Sequence, residues 1–409
     1  MKVGTYPKVT SEIGYLEKVI LHKPGKELLH IYPTYLEQML FNEIPWLHGA
    51  RKEHEQFIER LRGEGVEVLL LDQLMEEILR DEEIRVSFIK ENLKESRITE
   101  PFTMEAIYNY LLQLTPSETV DALIRGLNKN FVQNLKKTKS LSDYTQHSFP
   151  FYIPPLPSMY FTRDQGVMLD NNILLTSMVY PVRKRESLFI KYLTYYHPLF
   201  SNADKGMEFS LPKGLEGGDV LVLSSDTVMV GLSQRTTEEA IEKAARHLLI
   251  DKGICKQVLV VQIPFKKQYL HLDMVLNQVD RDKFLLFPGI ENKVHCYRLT
   301  SGYQDGEGYI RCEKENSLRK LLENAFGFSI QIIYSGGSDD LTSSREQQSG
   351  SNNILVVSPG KVVAYNRNEI TNEILSRNGV KVLDFEGSEL IRGMGGPRCM
   401  SMPIQRREP

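Results

Sequence analysis

The sequence predicts a mixed α/β fold made of repeated units, each with two short strands, a helix and a closing strand. Apolar strands and amphipathic helices return several times in the same order, and turns containing glycine or proline separate the strands. A long helical stretch interrupts this pattern once. We therefore predict a five-module pseudo-symmetric α/β propeller of ββαβ units with an inserted helical subdomain. At 409 residues and 41% hydrophobic, the chain can bury a substantial core.

The clearest unit spans residues 220–263. Its apolar runs at 220–223 and 228–232 predict two strands joined across a Ser-Ser-Asp turn. Residues 237–250 have the periodicity of an amphipathic helix, and the apolar run at 257–262 predicts the closing strand.

A second unit with the same order spans residues 353–385. Two apolar strands flank the turn Pro359-Gly360, and a helix at 371–377 leads into a strand at 380–384.

The remaining three units are less regular. One lies at 160–196 and another begins near residue 271. At the N-terminus, a strand at 18–22, a helix at 44–62 and a strand at 66–71 form the fifth. We expect the loops of all five units to converge on one face.

Residues 73–146 have helical periodicity, many charges and few β-branched residues. We predict that they form an inserted helical subdomain, and that 1–72 and 147–409 together form the catalytic propeller. A long helical crossover is an alternative that the sequence leaves open.

Composition excludes several classes of protein. The net charge of −3 has no basic block to neutralise phosphates, so nucleic acid is not expected as a partner. Residues 1–20 lack an apolar signal region, and no run reaches the roughly 18 to 20 apolar residues needed to cross a bilayer. Four cysteines at scattered positions fit a reducing compartment. We expect a cytoplasmic protein without a membrane partner.

One cysteine lies in an unusual setting. Cys399 follows Gly395-Gly396-Pro397-Arg398, and glycines let a ligand approach the main chain closely, as a loop that delivers a nucleophile requires. Arg398 is placed to stabilise a thiolate. Taken alone, the run also fits a glycine-rich tail with an ordinary thiol.

A histidine and an acid lie two residues apart at His271 and Asp273. On a strand, this spacing places both side chains on the same face, where they can enter one cavity. A surface pair is the alternative interpretation of so short a motif.

Two further acidic motifs precede strands. Glu216-Gly217-Gly218-Asp219 offers Glu216 as a partner for an imidazolium and Asp219 for a cationic substrate atom, although a tight turn with acidic flanks explains it equally well. Asp164, which follows Phe161-Thr162-Arg163, is the candidate acid of the second motif. The alternative interpretation of this motif is an internal ion pair between Arg163 and an acid elsewhere.

Together these motifs place a cysteine, a histidine and at least three carboxylates on loops expected at one rim. This set matches the chemistry of guanidinium hydrolysis. Carboxylates hold the N–H edges of the planar cation, a soft nucleophile attacks its carbon, and an acid protonates the departing amine.

The ordered motifs resemble those of the arginine deiminase family, within the guanidino-group-modifying enzyme superfamily. The resemblance extends nearly end to end, through Ser11-Glu12-Ile13-Gly14, Leu21-His22-Lys23-Pro24-Gly25-Lys26-Glu27, Phe161-Thr162-Arg163-Asp164, Glu216-Gly217-Gly218-Asp219, Ser233-Gln234-Arg235-Thr236, His271-Leu272-Asp273 and Gly396-Pro397-Arg398-Cys399-Met400-Ser401. It implies the five-module fold with a helical insertion.

The resemblance also implies roles for the residues at one end of the substrate. Cys399 would form an amidino-thioether intermediate, and His271 would protonate the leaving ammonia and then activate water. Asp164 and Asp273 would hold the guanidinium, and Glu216 would support the histidine.

At the amino-acid end, Arg183 and Arg235 would meet the α-carboxylate of arginine, and Asp219 would lie near its amino group. Phe161 belongs to the same pocket. The resemblance implies no metal and no organic cofactor, and it implies a homo-oligomer that binds a small guanidino substrate.

Some positions depart from the family pattern. Ser158 stands where the family usually has asparagine, Gln165-Gly166 replace Pro-Phe, and Met394 replaces an arginine thought to gate the site. The glycine-rich loop is altered at 335–339. Since Ser158 and Met394 are expected at the substrate pocket, hydrolysis of another guanidino or ureido compound is the second hypothesis. A catalytically idle binding paralogue is the third.

Overall fold

The computed structural model describes residues 6–144, 149–204 and 214–409, and these form a mixed α/β structure. The strands are β1 (Tyr15–Leu21), β2 (Glu67–Leu70), β3 (Leu127–Asn128), β4 (Phe151–Ile153), β5 (Gly166–Leu169), β6 (Asn172–Leu175), β7 (Val220–Ser224), β8 (Thr227–Leu232), β9 (Gln257–Gln262), β10 (Leu276–Gln278), β11 (Lys283–Leu286), β12 (His295–Gln304), β13 (Glu307–Glu315), β14 (Gln331–Tyr334), β15 (Leu355–Ser358), β16 (Lys361–Tyr365), β17 (Lys381–Phe385) and β18 (Met402–Arg407).

The helices lie mainly between β2 and β4 and between strands of the later units. They are α1 (Leu47–Gly63), α2 (Leu71–Ile78), α3 (Glu82–Glu95), α4 (Pro101–Leu112), α5 (Pro116–Arg125), α6 (Lys129–Leu135), α7 (Leu141–Tyr144), α8 (Glu186–Tyr196), α9 (Glu238–Arg246), α10 (Leu318–Phe326), α11 (Asp340–Gln348) and α12 (Glu369–Arg377). Within the described ranges, no helix has the length and apolarity needed to cross a membrane.

The unit predicted at 220–263 has the expected order of elements. Strands β7 and β8 pair antiparallel, and β8 pairs parallel with β9 after the crossover through α9. Thr237 caps α9 because its side chain accepts a hydrogen bond from the Ala240 N–H. The helix ends at Arg246 and a π-helical turn follows, so it is shorter than predicted.

The unit at 353–385 also has the predicted order. Strands β15 and β16 pair antiparallel across the turn that contains Gly360, and α12 leads to β17, which pairs parallel with β16. Gly360 has a φ of 68°, a conformation that favours glycine.

The unit that begins near residue 271 contains an element that the sequence did not predict. Strands β10, β11 and β14 repeat the antiparallel and parallel pairing. Between β11 and α10, however, the long hairpin β12–β13 leaves this sheet and pairs with β9 of the preceding unit. The result is a five-stranded sheet in the order β13-β12-β9-β8-β7.

The N-terminal strand meets the C-terminal strand. Strand β1 pairs parallel with β2 and antiparallel with β18, with Val19 opposite Pro403. The sequence predicted β1 and β2 but not their third partner. Because β18 follows Cys399 directly, this pairing brings the cysteine loop beside the start of the chain.

Strands β5 and β6 form a two-stranded sheet followed by α8, which corresponds to the irregular unit at 160–196. Helices α2 to α7 occupy the stretch predicted to be helical, of which residues 145 and 146 lie outside the described residues. Apolar side chains of α2 to α6 share one buried cluster with residues of β5, β7 and α8, so these five helices pack directly on the sheet-containing part of the molecule.

Candidate active site

Loops at the ends of strands bring most of the predicted site residues to one narrow pocket. Its lining includes Ser158, Phe161, Asp164, Arg183, Arg235, His271, Met394 and Cys399. Glu216 and Asp273 lie directly behind this lining, where both are fully buried and contact His271 and Cys399 respectively.

Cys399 lies in the loop between the turn Leu390–Gly393 and β18. Its Sγ is 3.5 Å from Asp273 Oδ2, and its N–H donates to Asn353 Oδ1 at 2.9 Å. Burial, followed by the charges of Asp273 and Asp164, raises the pKa of the Cys399 thiol well above its ordinary value. A cation bound beside the sulfur would lower this pKa and favour the nucleophilic thiolate.

Asn353 holds the cysteine loop, and no local pattern in the sequence predicts this role. Its Oδ1 accepts hydrogen bonds from the N–H groups of both Cys399 and Gly396, each at 2.9 Å. Its Nδ2 donates to the Asp273 carbonyl at 3.4 Å. One buried amide therefore fixes the nucleophile loop and the Asp273 loop together.

His271 lies between two carboxylates. Its Nε2 is 2.8 Å from Glu216 Oε2, and its Nδ1 is 3.7 Å from Asp164 Oδ1. Burial lowers the pKa of His271, but the charge of Asp164, the Glu216 hydrogen bond and the charge of Asp219 outweigh it and raise the pKa to about 9. The imidazolium form is thus available as a proton donor at neutral pH.

The prediction that His271 and Asp273 lie on a strand is wrong. His271 has extended backbone angles, but residues Leu272–Met274 form a 3-10 turn. Tight winding, not strand alternation, directs Asp273 toward Cys399 while His271 faces Glu216.

Two carboxylates each keep one oxygen free. Asp164 Oδ2 accepts from Arg183 Nη1 at 2.9 Å, and Asp273 Oδ2 accepts from Arg398 Nη1 at 2.8 Å. The Oδ1 atoms of Asp164 and Asp273 are buried, and neither has a hydrogen-bond partner in the described part of the chain. Buried carboxylate oxygens without partners are costly, so both are suited to receive N–H donors from a ligand.

Two arginines predicted to meet a substrate carboxylate line the pocket, but acids already hold them. Arg183 bonds to Asp164 and Glu186, while Arg235 Nη1 is 3.1 Å from Glu216 and its guanidinium stacks on the ring of Tyr180. Their contacts with a substrate remain predictions.

Arg398 was predicted to help stabilise a thiolate, and its charge does act to lower the pKa of Cys399. Its guanidinium bonds to Glu12 at 2.9 Å and to Asp273 at 2.8 Å, and it is almost fully buried. Arg398 therefore influences the thiol mainly through Asp273 and through its positive charge.

Asp219 lies behind His271. Its Oδ2 accepts from the hydroxyls of Ser233 and Thr236, both at 2.7 Å, and its Oδ1 accepts from the Leu272 N–H at 2.8 Å. Burial raises its pKa to about 6. In this structure Asp219 supports the loop that carries His271, and its predicted contact with the amino group of a substrate remains a prediction.

The pocket mouth is formed by strained backbone. Leu40, Leu270 and Met394 line it, and their φ angles of 62°, 41° and 66° are unusual for residues other than glycine. Phe161 packs so closely on Gly395 that a Cβ there would lie 2.3 Å from its ring. Glycine at 395 is thus required by this close approach.

Asp164, Glu216 and His271 have ligand atoms within 4.8 Å of one another, a spacing that a metal ion accepts. The guanidinium groups of Arg183 and Arg235 lie 3.5 and 3.1 Å from Glu216. The positive charges of these two arginines would repel a metal ion bound at the three ligand atoms.

Comparison with known proteins identifies the family. The family model described as arginine deiminase matches residues 37–406. The chain belongs to the arginine deiminase family. An arginine deiminase from Bacillus cytotoxicus is 39% identical over 408 residues, and one from Streptococcus uberis is 40% identical over 403, with 98% of each chain covered in both pairs.

Solved structures with this fold extend beyond the family. The amidinotransferase SxtG from Microseira wollei, of the saxitoxin biosynthetic pathway, has a TM-score of 0.55 at 15% identity, with 98% of each chain covered. A dimethylarginine dimethylaminohydrolase from Pseudomonas aeruginosa has a TM-score of 0.52 at 15% identity, covering 95% of this chain and 99% of the other. At these identities, the likeness shows a shared fold alone.

Proposed function

We propose that this protein hydrolyses L-arginine to L-citrulline and ammonia through a covalent amidino intermediate on Cys399. The observation that carries the proposal is a pair of carboxylate oxygens without hydrogen-bond partners among the described residues: Asp164 Oδ1 at the lining of the pocket that holds Cys399 and His271, and Asp273 Oδ1 directly behind that lining. Relatives near 40% identity over the full chain are named arginine deiminases, which supports the same reaction.

Substrate binding prepares the nucleophile. The guanidinium donates hydrogen bonds to Asp164 and Asp273, and its charge lowers the pKa of the Cys399 thiol, which releases its proton to solvent while His271 stays protonated. The thiolate then lies beside the guanidino carbon. This order agrees with a thiol whose pKa is high in the free protein.

The reaction then has two halves. Sγ attacks the guanidino carbon, His271 gives a proton to one terminal nitrogen, and ammonia leaves as its C–N bond breaks. The resulting carbon–sulfur intermediate is attacked by water, which loses a proton to the now neutral His271. The C–S bond breaks, citrulline leaves, and the sulfur regains a proton. Glu216 keeps the imidazole ring oriented in both halves.

At the other end of the substrate, Arg235 and Arg183 are the proposed partners of the α-carboxylate, with Asp219 near the amino group. Ser158, Phe161 and Met394 would shape the pocket. Arg183 is held by Glu186 and Asp164, and Arg235 by Glu216, so the α-carboxylate would bond to arginines that already have acidic partners.

Incubation of the purified protein with arginine tests the proposal. Citrulline and ammonia should form in equal amounts, and Cys399→Ser should lower the rate by several orders of magnitude because serine is the weaker nucleophile. Turnover by the serine variant at the original rate would disprove the mechanism. Absence of citrulline from the unmodified protein over a broad pH range would disprove the activity.

A second candidate is hydrolysis of another guanidino or ureido compound. Met394 lines the pocket mouth without a charge that could pair with an α-carboxylate. A panel of arginine, agmatine, methylated arginines and citrulline distinguishes the two candidates. Preference for a compound without the carboxylate would favour this second function.

We also propose that the strand units described above form a five-module α/β propeller. Four of them repeat one pairing, an antiparallel pair extended by a parallel strand: β18-β1-β2, β7-β8-β9, β10-β11-β14 and β15-β16-β17. In this proposal, residues 73–146 form the helical insertion, and 1–72 and 147–409 form the catalytic part. A cytoplasmic homo-oligomer is proposed on the family resemblance alone.

A further inference from the structure

The arginine behind Asp273 is held in a specific orientation. The Nε and Nη2 atoms of Arg398 donate to Glu12 at 3.3 and 2.9 Å, so one edge of the guanidinium faces that carboxylate. Only Nη1 reaches Asp273, where it takes Oδ2 at 2.8 Å. Asp273 Oδ1 is left without a hydrogen-bond partner among the described residues.

The arginine behind Asp164 is held in the same way. The Nε and Nη2 atoms of Arg183 donate to Glu186 at distances between 2.7 and 3.1 Å. Nη1 alone reaches Asp164 Oδ2, at 2.9 Å, and Asp164 Oδ1 has no hydrogen-bond partner where the chain is described. Two Glu–Arg–Asp chains from different parts of the sequence thus share one pattern.

The pattern has a physical consequence for the aspartates. An arginine beside a carboxylate prefers a bidentate arrangement, in which two N–H groups cover both oxygens. In each chain a glutamate occupies the edge that would make the second bond. The aspartate therefore keeps the charge of a nearby arginine while one oxygen stays open.

We propose that Glu12 and Glu186 are positioning residues that prevent Arg398 and Arg183 from covering the substrate-binding oxygens of Asp273 and Asp164. This inference rests on the proposed function, since it assumes that those oxygens hold a guanidinium. Neither glutamate touches the reacting atoms. Each acts through its arginine.

The surroundings of the two glutamates fit this role. Glu12 is fixed by the Val222 N–H, which donates to its Oε1 at 3.3 Å, and Arg163 lies 3.9 Å from the same oxygen. Glu186 is almost fully buried and is the first residue of α8, and Arg183 ends the 3-10 turn Pro181–Arg183 just before it. The short connection between turn and helix lets Arg183 Nη2 approach Glu186 Oε2 to 2.7 Å.

A pair of alkylating agents tests the proposal on the whole protein. 2-Chloroacetamidine carries a planar cation, and 2-chloroacetamide is its neutral counterpart. With either agent, Sγ of Cys399 forms a bond to the methylene carbon, the C–Cl bond breaks, and chloride leaves. The ratio of the two inactivation rates measures how well the aspartates hold a planar cation beside the thiol, including the fall in the thiol pKa that the cation causes, and it cancels the reactivity that a variant changes equally for both agents.

Glu12→Gln and Glu186→Gln should each lower the amidine-to-amide ratio by about tenfold or more, the effect of losing a charge-assisted hydrogen bond. Glu346→Gln is the matched control. Glu346 is also buried, but it bonds to Thr371 and Ile370 at the start of α12, so this variant should leave the ratio unchanged. Glu12→Asp keeps the charge and should recover part of the ratio.

Asp273→Asn separates the two possible failures. If it lowers the ratio while both glutamine variants keep the original value, the positioning role is overturned and the proposed grip remains. If Asp273→Asn does not lower the ratio, the grip itself fails and the inference fails with it. If Glu12→Gln does not fold, Glu12→Asp and Glu186→Gln are measured in its place. The positioning role is then overturned if both variants keep the amidine-to-amide ratio of the unmodified protein.

Discussion

At the scale of single residues, buried carboxylates beside the Cys399 thiol and the His271 imidazole change the pKa values of both groups. Burial, Asp273 and Asp164 together raise the pKa of Cys399, while Asp164 and Glu216 raise the pKa of His271 against the lowering effect of its burial. A planar cation placed between the two aspartates would reverse the first effect. The free protein thus holds a poor nucleophile until its substrate arrives.

The pH dependence of the reaction should follow His271. A group that donates a proton loses activity as pH rises through its pKa, which is about 9 here. Glu216→Gln removes the hydrogen bond and the charge that raise this pKa, so the alkaline limb of the kcat/KM profile should move toward lower pH. An unchanged limb would mean that another group sets it.

The same shift affects the stability of the fold. The pKa of His271 is raised from 6.5, so its contribution to stability is complete below about pH 6.5 and is lost as pH rises through about 9. In Glu216→Gln, the melting temperature should therefore begin to fall at a lower alkaline pH than in the unmodified protein. Thermal melts recorded over the same pH range measure this.

Met394 offers a test of substrate specificity at the pocket mouth. Met394→Arg places a guanidinium where the family usually has one, and a charge-assisted bond to the α-carboxylate should lower KM for arginine by about tenfold or more. Met394→Leu is the neutral control and should keep the original KM. Equal KM values for arginine in all three proteins would show that position 394 does not contact the carboxylate.

At the scale of secondary-structure elements, local patterns predicted most strands and helices but not all of their partners. The units at 220–263 and 353–385 follow the predicted order because their apolar runs, turns and caps are continuous in sequence. The hairpin β12–β13 has many exposed residues and a mixed pattern, so its pairing with β9 has no local signal.

The same limit applies to the site. Cys399, His271, Glu216, Asp164 and Asp273 were predicted from motifs, and the structure brings them together. Asn353 and Glu186 were not predicted, because their roles depend on contacts with residues that other motifs supply. Long-range hydrogen bonds of this kind leave no periodic trace in the chain.

Strand β18 should be essential for folding because it covers the core beside the cysteine loop. Met402 and Ile404 are almost fully buried, and the strand pairs with β1 along its length. Truncation after Ser401 keeps Cys399 but exposes these contacts, at a cost of several kcal/mol. We expect loss of the cooperative thermal transition and of activity.

A truncation after Arg407 is the matched control, since it removes only the exposed Glu408 and Pro409. It should melt and react like the full chain. A folded, active protein that ends at Ser401 would show that β18 is dispensable.

At the scale of the whole molecule, distant parts of the sequence meet around the pocket. Glu12 near the N-terminus, Asp164, His271 and Cys399 lie on four separate loops that polar contacts connect. His271 pairs with Asp164, Cys399 contacts Asp273 on the loop of His271, and Glu12 pairs with Arg398 beside Cys399. A ligand that bonds to Asp164 and Asp273 at once would connect these loops. Binding should therefore stabilise the entire fold and not only the pocket.

The stabilisation of the fold by bound arginine can be measured in Cys399→Ser, because this variant should bind arginine without turnover. At a ligand concentration about a hundred times Kd, the stabilisation should be about 2.7 kcal/mol, visible as a rise in melting temperature. Agmatine, which lacks the carboxylate, should give a smaller rise if Arg235 or Arg183 contacts that group. Equal rises would place recognition at the guanidinium alone, and adding Asp273→Asn should make either rise smaller at the same ligand concentration, because the cation then loses one of its two carboxylate partners.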